Sequence, residues 1–292
     1  MKKIAVLLSA AMMLNSCVIS FNRATVVRSY SENGGDYTEE ITDLPRFHEI
    51  EAYGPFNVHF VQSDGRKVLL EGTEESVNAV ITDVTDDKLV LRLENGTYNK
   101  LVLKVTVYAP SITDFLSSGS GNLYDCDGHD EGGNDVEYIC NGSGDLSVMN
   151  LKCGDLEGRS NGSGNMNLQS VSCDDVDISS NGSGDVTLSD ITARGGIDFS
   201  SSGSGNMRAG RITNADSDAD LSLITRGSGD ANLDEVNIKG DIDLRTSGSG
   251  SITVNGSCND VSASTHGSGS IRGSLKYNSL RQSRHGSGNI RL

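Results

Sequence analysis

The sequence predicts an all-β fold: a single-stranded parallel β-helix with coils of about 20 residues, fronted by an irregular β cap. Two observations predict it. Gly-Ser-Gly occurs nine times, starting at Gly119, Gly142, Gly162, Gly182, Gly203, Gly227, Gly248, Gly267 and Gly286, with successive gaps of 23, 20, 20, 21, 24, 21, 19 and 19 residues. Around each motif apolar residues alternate with polar ones. With the first Gly as zero, positions −6 and −4 read Val176/Ile178, Ile197/Phe199, Leu221/Leu223 and Ile242/Leu244. Positions +4 and +6 read Leu146/Val148, Met166/Leu168 and Val186/Leu188. A fixed period means one unit stacked on itself, and short period-two runs between glycines are strands.

A third apolar pair at +9 and +11, as in Leu151/Cys153 and Val171/Cys173, predicts three short strands per coil. The motif glycines supply corners with positive φ, and the Asn, Asp or Ser that follows bonds the local backbone. Coils stack roughly 4.8 Å apart, so nine make a rod on the order of 40 Å long. Leucine-rich repeats share the period but need an L-x-x-L-x-L-x-x-N pattern that is missing, and calcium β-rolls need tandem nonapeptides.

Ahead of the repeats, residues 45–117 carry strand-like runs at 56–61, 88–93 and 101–108 without the motif, and read as an irregular N-terminal β region before the repeats of 118–292. Residues 17–44 are polar and unpatterned, a flexible tether. Residues 1–16 read as a secretory signal: Lys2-Lys3, then an apolar run from Ile4 to Leu14 too short to span a bilayer. Leu14-Asn15-Ser16-Cys17 resembles a bacterial lipoprotein lipobox, which implies lipidation of Cys17 and a membrane anchor at the mature N-terminus. Val18 rather than Asp follows the cysteine, so the expected address is the outer membrane, on its periplasmic or its external face.

The net charge of −16 argues against nucleic-acid binding. Cys153 and Cys173 occupy the same position on adjacent coils and are a candidate disulfide in an oxidising compartment; stacked core thiols are the alternative. Positions −7 and −5 form an acidic stripe in which Asp155, Glu157, Asp175 and Asp177 are a candidate calcium site, with hydrated strand starts as the alternative and no other cofactor expected. Position +5 forms a polar ladder (Ser147, Asn167, Thr187, Asn232 and Thr253, with Arg208, Arg272 and Arg291) suited to a surface glycan or a protein ligand. His266 and His285 share a column but make a poor metal site. No serine has the His and acid partners of a triad, so no catalytic residue is assigned. Arg159 beside Asp155, Glu157 and Asp177 keeps a carbohydrate-active enzyme, a polysaccharide lyase or hydrolase, as the rival to a non-catalytic binding module. The last coil bears Arg281, Arg284 and Arg291, which either blunt its edge or leave it to pair end to end with a second copy.

Three stretches together, Tyr53-Gly54-Pro55-Phe56-Asn57-Val58, Leu101 to Pro110 and Leu116-Ser117-Ser118-Gly119-Ser120-Gly121-Asn122 with its repeats, resemble the autotransporter adhesin "head GIN" domain family of Gram-negative lipoproteins. The closing Gly286-Ser287-Gly288-Asn289-Ile290 fits the nickname. The resemblance covers about residues 45–292 and implies a right-handed β-helix with an adhesive role at the cell surface. It supplies no catalytic residues.

Overall fold

The computed structural model describes residues 24–30, 37–98, 100–125, 127–214 and 219–292; Cys17 and the signal segment lie outside them. From Asp114 onward the chain winds into a β-solenoid. Each coil contributes one strand that ends on a motif glycine and one that starts after it, for example Leu156–Gly162 then Met166–Cys173. All these strands pair in parallel with the equivalent strand of the next coil. The nine motif glycines pair in register from Gly119↔Gly142 to Gly267↔Gly286, so equivalent side chains form columns.

The three-strand coil is corrected to two. The +4/+6 and +9/+11 apolar pairs lie on one strand, whose inward pattern slips at two consecutive outward residues, Gln169-Ser170 in Met166–Cys173. The ladder skips one pairing there, between Leu168↔Leu188 and Ser170↔Asp190. A bend within a continuous strand brings the third pair inward without a turn.

Glycine is required at the corner for close approach as well as for φ. Gly162 has φ +146°, and the carbonyl of Gly142 on the previous coil accepts from Ser163 N at 2.8 Å and Gly164 N at 3.3 Å. A Cβ on Gly164 would stand 1.9 Å from the Gly144 carbonyl oxygen, although Gly164 itself has no unusual φ. The residue after the motif carries a second ladder. Asn165 N donates to Asp145 Oδ1 at 2.8 Å, Asp185 N to Asn165 Oδ1 at 2.9 Å and Asn206 N to Asp185 Oδ1 at 2.8 Å. The small residue at −2 points inward, where Ser160 and Thr246 donate to the Gly164 and Gly250 carbonyls.

The front region is part of the same rod. Its strands are β1 (Thr25–Tyr30), β2 (Tyr37–Thr42), β3 (Glu49–Tyr53), β4 (Asn57–Gln62) and β5 (Lys67–Gly72), then, after helix α1 (Glu74–Asn78), β6 (Val80–Thr85), β7 (Lys88–Leu93) and β8 (Leu103–Ala109). Strands β3 and β4 form a full coil whose corner, Gly54-Pro55-Phe56-Asn57, does the work of Gly-Ser-Gly-Asn. Gly54 has φ +146°, its carbonyl accepts from Gly121 N, and Asn57 Oδ1 accepts from Asn122 N. Strands β7 and β8 pair in parallel on the other side of that coil, so the chain lays down its second coil outside its first before moving on. Strands β6, β5, β2 and β1 then cap the sheets in antiparallel order.

The flexible tether of 17–44 is corrected where it is described. Strand β2 buries Tyr37, Glu39 and Ile41 against the cap, and β1 holds it through Arg28–Glu39 at 2.8 Å. Alternation hidden in a polar composition covers the edge that β5 would otherwise expose.

Candidate functional site

Two constellations stand out, one on the surface and one inside. On the surface, Asp114, Glu137, Glu157, Asp177 and Asp198 stack in register on consecutive coils. With Asp135, Asp155 and Asp175 they line an open groove of about 750 Å³. The structure therefore brings Asp155, Glu157, Asp175 and Asp177 together, but gives them different work. The −7 carboxylates cap backbone: Asp155 Oδ1 accepts from Asp175 N at 3.1 Å and Asp175 Oδ1 from Gly196 N at 2.5 Å, as Asp135 does for Asp155 at 2.8 Å. Glu157 is ion-paired to Arg159, which also bridges to Glu137. Asp177 feels the crowding: burial, then the Asp198 charge, raises its carboxyl above the ordinary value against the pull of Arg159. Among the described residues no three His, Cys, Asp or Glu side chains gather closely enough to hold a metal ion.

The remaining columns fall as follows. Cys153 and Cys173 are both buried free thiols, and the hydrogen bond between them, then burial, raises the Cys153 thiol far above its usual range. Burial likewise pushes Cys140, which takes the place of the −2 hydroxyl, up to about 12. The +5 column runs Ser147, Asn167, Thr187, Arg208, Asn232, Thr253, Arg272 and Arg291 along one face. His266 and His285 stack with ring centroids 5.0 Å apart at the ends of paired strands, each just before a motif glycine.

The inner constellation was not foreseen. His129, with no exposed side-chain surface, sits between Asp125 Oδ2 at 3.1 Å from Nδ1 and Glu131 Oε1 at 2.7 Å from Nε2. Tyr138 Oη donates to Asp125 Oδ2 at 2.8 Å, and Ser111 Oγ and the Ile112 amide donate to Glu131. Phe60, Phe115 and Tyr138 wall the group in. Burial opposes the charge on the imidazole, but the hydrogen bonds it donates to both carboxylates outweigh it and raise His129 from 6.5 to about 9. Glu131 is held below its usual value by His129, Ser111 and Ile112, again against burial. The signal for this cluster was in the sequence: Asp125 pairs with Val148 and His129 with Leu151, so both occupy inward slots that are apolar in the next coil. Sealed from solvent, the cluster is a structural ion network.

With both arrangements in view, the relatives can be placed. The family profile described as "Putative auto-transporter adhesin, head GIN domain" matches residues 46–219 and 199–292. The chain belongs to this family. Solved structures share its fold. A putative adhesin from Parabacteroides distasonis ATCC 8503 superposes with TM-score 0.59 at 18% identity, covering 88% of this chain and 96% of its own. A putative adhesin from Parabacteroides merdae ATCC 43184 gives TM-score 0.56 at 20% identity, covering 89% and 97%. A putative lipid binding protein from P. distasonis ATCC 8503 gives 0.52 at 18%, covering 89% and 98%. No curated protein matches the chain in sequence.

Proposed function

We propose that this head GIN protein is a non-catalytic binding module of the cell envelope, an outer-membrane lipoprotein anchored through a lipid on Cys17. The observation that carries the reading is periodicity. The outward positions repeat coil after coil, as in Glu137↔Glu157↔Asp177↔Asp198, so the rod offers ladders to an extended partner rather than one singular point of chemistry. Its most distinctive titratable group, around His129, faces inward and supports the scaffold. The adhesin description of the family and the adhesin-named neighbours agree with this reading.

Metabolic labelling with an alkyne fatty acid tests the anchor: label on the wild type and none on Cys17→Ser is the expected result, and equal labelling refutes it. Binding of the purified protein to whole cells and to a glycan array tests the module. The enzymatic reading has one observation in its favour, Arg159 held between Glu137 and Glu157 in the acidic groove. New unsaturated or reducing ends released from acidic polysaccharides by wild type, and not by Arg159→Ala, would establish it in place of the binding role.

A further inference from the structure

The charge of this acidic chain is segregated along the rod. Residues 261–292 contain Arg272, Lys276, Arg281, Arg284 and Arg291 and no Asp or Glu, in a protein of net charge −16. All five cations are exposed. Upstream in the repeats, Arg159, Arg194, Arg208, Arg211 and Arg245 are each ion-paired to a carboxylate while Arg226 and Lys239 are not, and none of the five cations at this end has an ion pair among the described residues. The acidic −5 column itself changes sign here, running Asp243, Ser262, Arg281.

The core also stops at this coil by chemistry. The inward −4 column runs Leu223, Leu244, Ala263 and then Gln282, and the inward −2 column runs Thr225, Thr246, Thr265 and then Arg284. Strand Ser279–Gly286 is the last of its sheet and is exposed along almost its whole length. This end lies at the opposite pole of both sheets from the cap strands that follow Cys17.

We infer that this basic pole is a docking surface for an anionic polysaccharide. It rests on the binding-module reading and names the ligand class of that module. Charge complementarity carries the choice, and two observations narrow it. A strand-adding protein partner is opposed by Arg284 and Gln282 in inward positions, where an incoming strand would need apolar cover. A bilayer is opposed by the absence of large exposed apolar residues at this pole: Val26, Val27, Tyr53, Val102 and Met149 all lie elsewhere. Asp198 lies four coils from Arg281, about 19 Å away and roughly two Debye lengths at physiological salt, so the acidic groove does not repel a polyanion held at the pole. The one carboxylate on the neighbouring strand, Asp260, stands opposite Ser279, two residues before Arg281 and five before Arg284.

The test uses fluorescein-labelled oligogalacturonate, neutral dextran and anionic phospholipid vesicles with the full mature chain. Wild type is expected to bind the uronate and not the dextran, with affinity falling steeply as salt rises. Arg281→Glu/Arg284→Glu, at two exposed positions of the last coil and expected to melt like wild type, is predicted to lose about tenfold or more. A groove variant, Glu157→Gln/Asp177→Asn, is predicted to keep or slightly gain affinity. Equal uronate binding by the double arginine variant, or no uronate binding by wild type, overturns the inference, as does tighter binding to vesicles with the same arginine dependence. Whole-cell binding that survives Arg281→Glu/Arg284→Glu would leave the binding module standing with its ligand elsewhere, whereas loss of cell binding by wild type would remove the module itself.

Discussion

The buried His129 network makes alkaline stability a sharp test of the interior. His129 titrates at about 9 in the folded state against 6.5 for a free imidazole, so the folded protein holds a proton that the unfolded chain releases. The sign follows directly. Stabilisation from this group is fully present below about pH 6.5 and is lost as pH rises through about 9. Its size is about 3 kcal/mol, from 1.36 kcal/mol per tenfold change in proton affinity. Glu131 has the opposite sign, since its lowered value withdraws stability only as pH falls through the acid range. Thiols titrate at about 8.5 in an unfolded chain and are raised in the folded one at Cys140, Cys153 and Cys258, so they too withdraw stability at the alkaline end of this window, and a matched variant with the same cysteines separates their share. Asp125→Val/His129→Leu/Glu131→Gln copies Val148 and Leu151 of the following coil and removes every charge of the network. Urea unfolding followed by far-ultraviolet circular dichroism between about pH 6 and about pH 9.5 is the assay. Wild type is expected to lose about 3 kcal/mol more than the variant across that range. Parallel pH profiles for the two proteins would refute the ion network as drawn. His129→Gln alone is expected to be far worse than the triple variant, by about 3–5 kcal/mol at neutral pH, because it strands two buried carboxylates.

Other outcomes follow from the corners and the pole. Gly164→Ala forces a Cβ to 1.9 Å from the Gly144 carbonyl oxygen and is expected to cost about 3 kcal/mol or more by thermal melting, whereas Gly65→Ala, which meets nothing within 4 Å, is expected to stay within about 0.5 kcal/mol of wild type. Asn165→Ala removes the acceptor of the Asp185 amide and the donor to Asp145, and is expected to cost about 1–2 kcal/mol in the same assay. Gln282→Leu/Arg284→Val restores apolar character to two inward columns at the pole and is expected to produce self-association, read by light scattering against a wild type that remains smaller.

The repeats were legible because their constraint is local and recurs. Gly164 must be glycine since a backbone oxygen fills the space where Cβ would be, and every coil poses the same demand, so the motif returns about every 20 residues. The Gly54 corner was not legible as one because Pro55 and Phe56 stand where Ser and Gly recur in the other coils, so only its Gly and Asn match the motif. In the acidic stripe, spacing showed that Asp155 and Asp175 share a face. It did not show that each carboxylate already accepts a backbone N–H from the next coil.

By itself the sequence determined a stacked parallel β fold, its coil length, its inward columns and its family, all consequences of periodic contacts between equivalent residues. Tertiary structure decided what has no period: the reversal that lays β7 and β8 outside β3 and β4, the burial of β2 over the cap, and the meeting of Ser111, Asp125, His129, Glu131 and Tyr138 in one sealed network. Such contacts form once, between residues of unlike position in their coils, and only the path of the backbone brings them together.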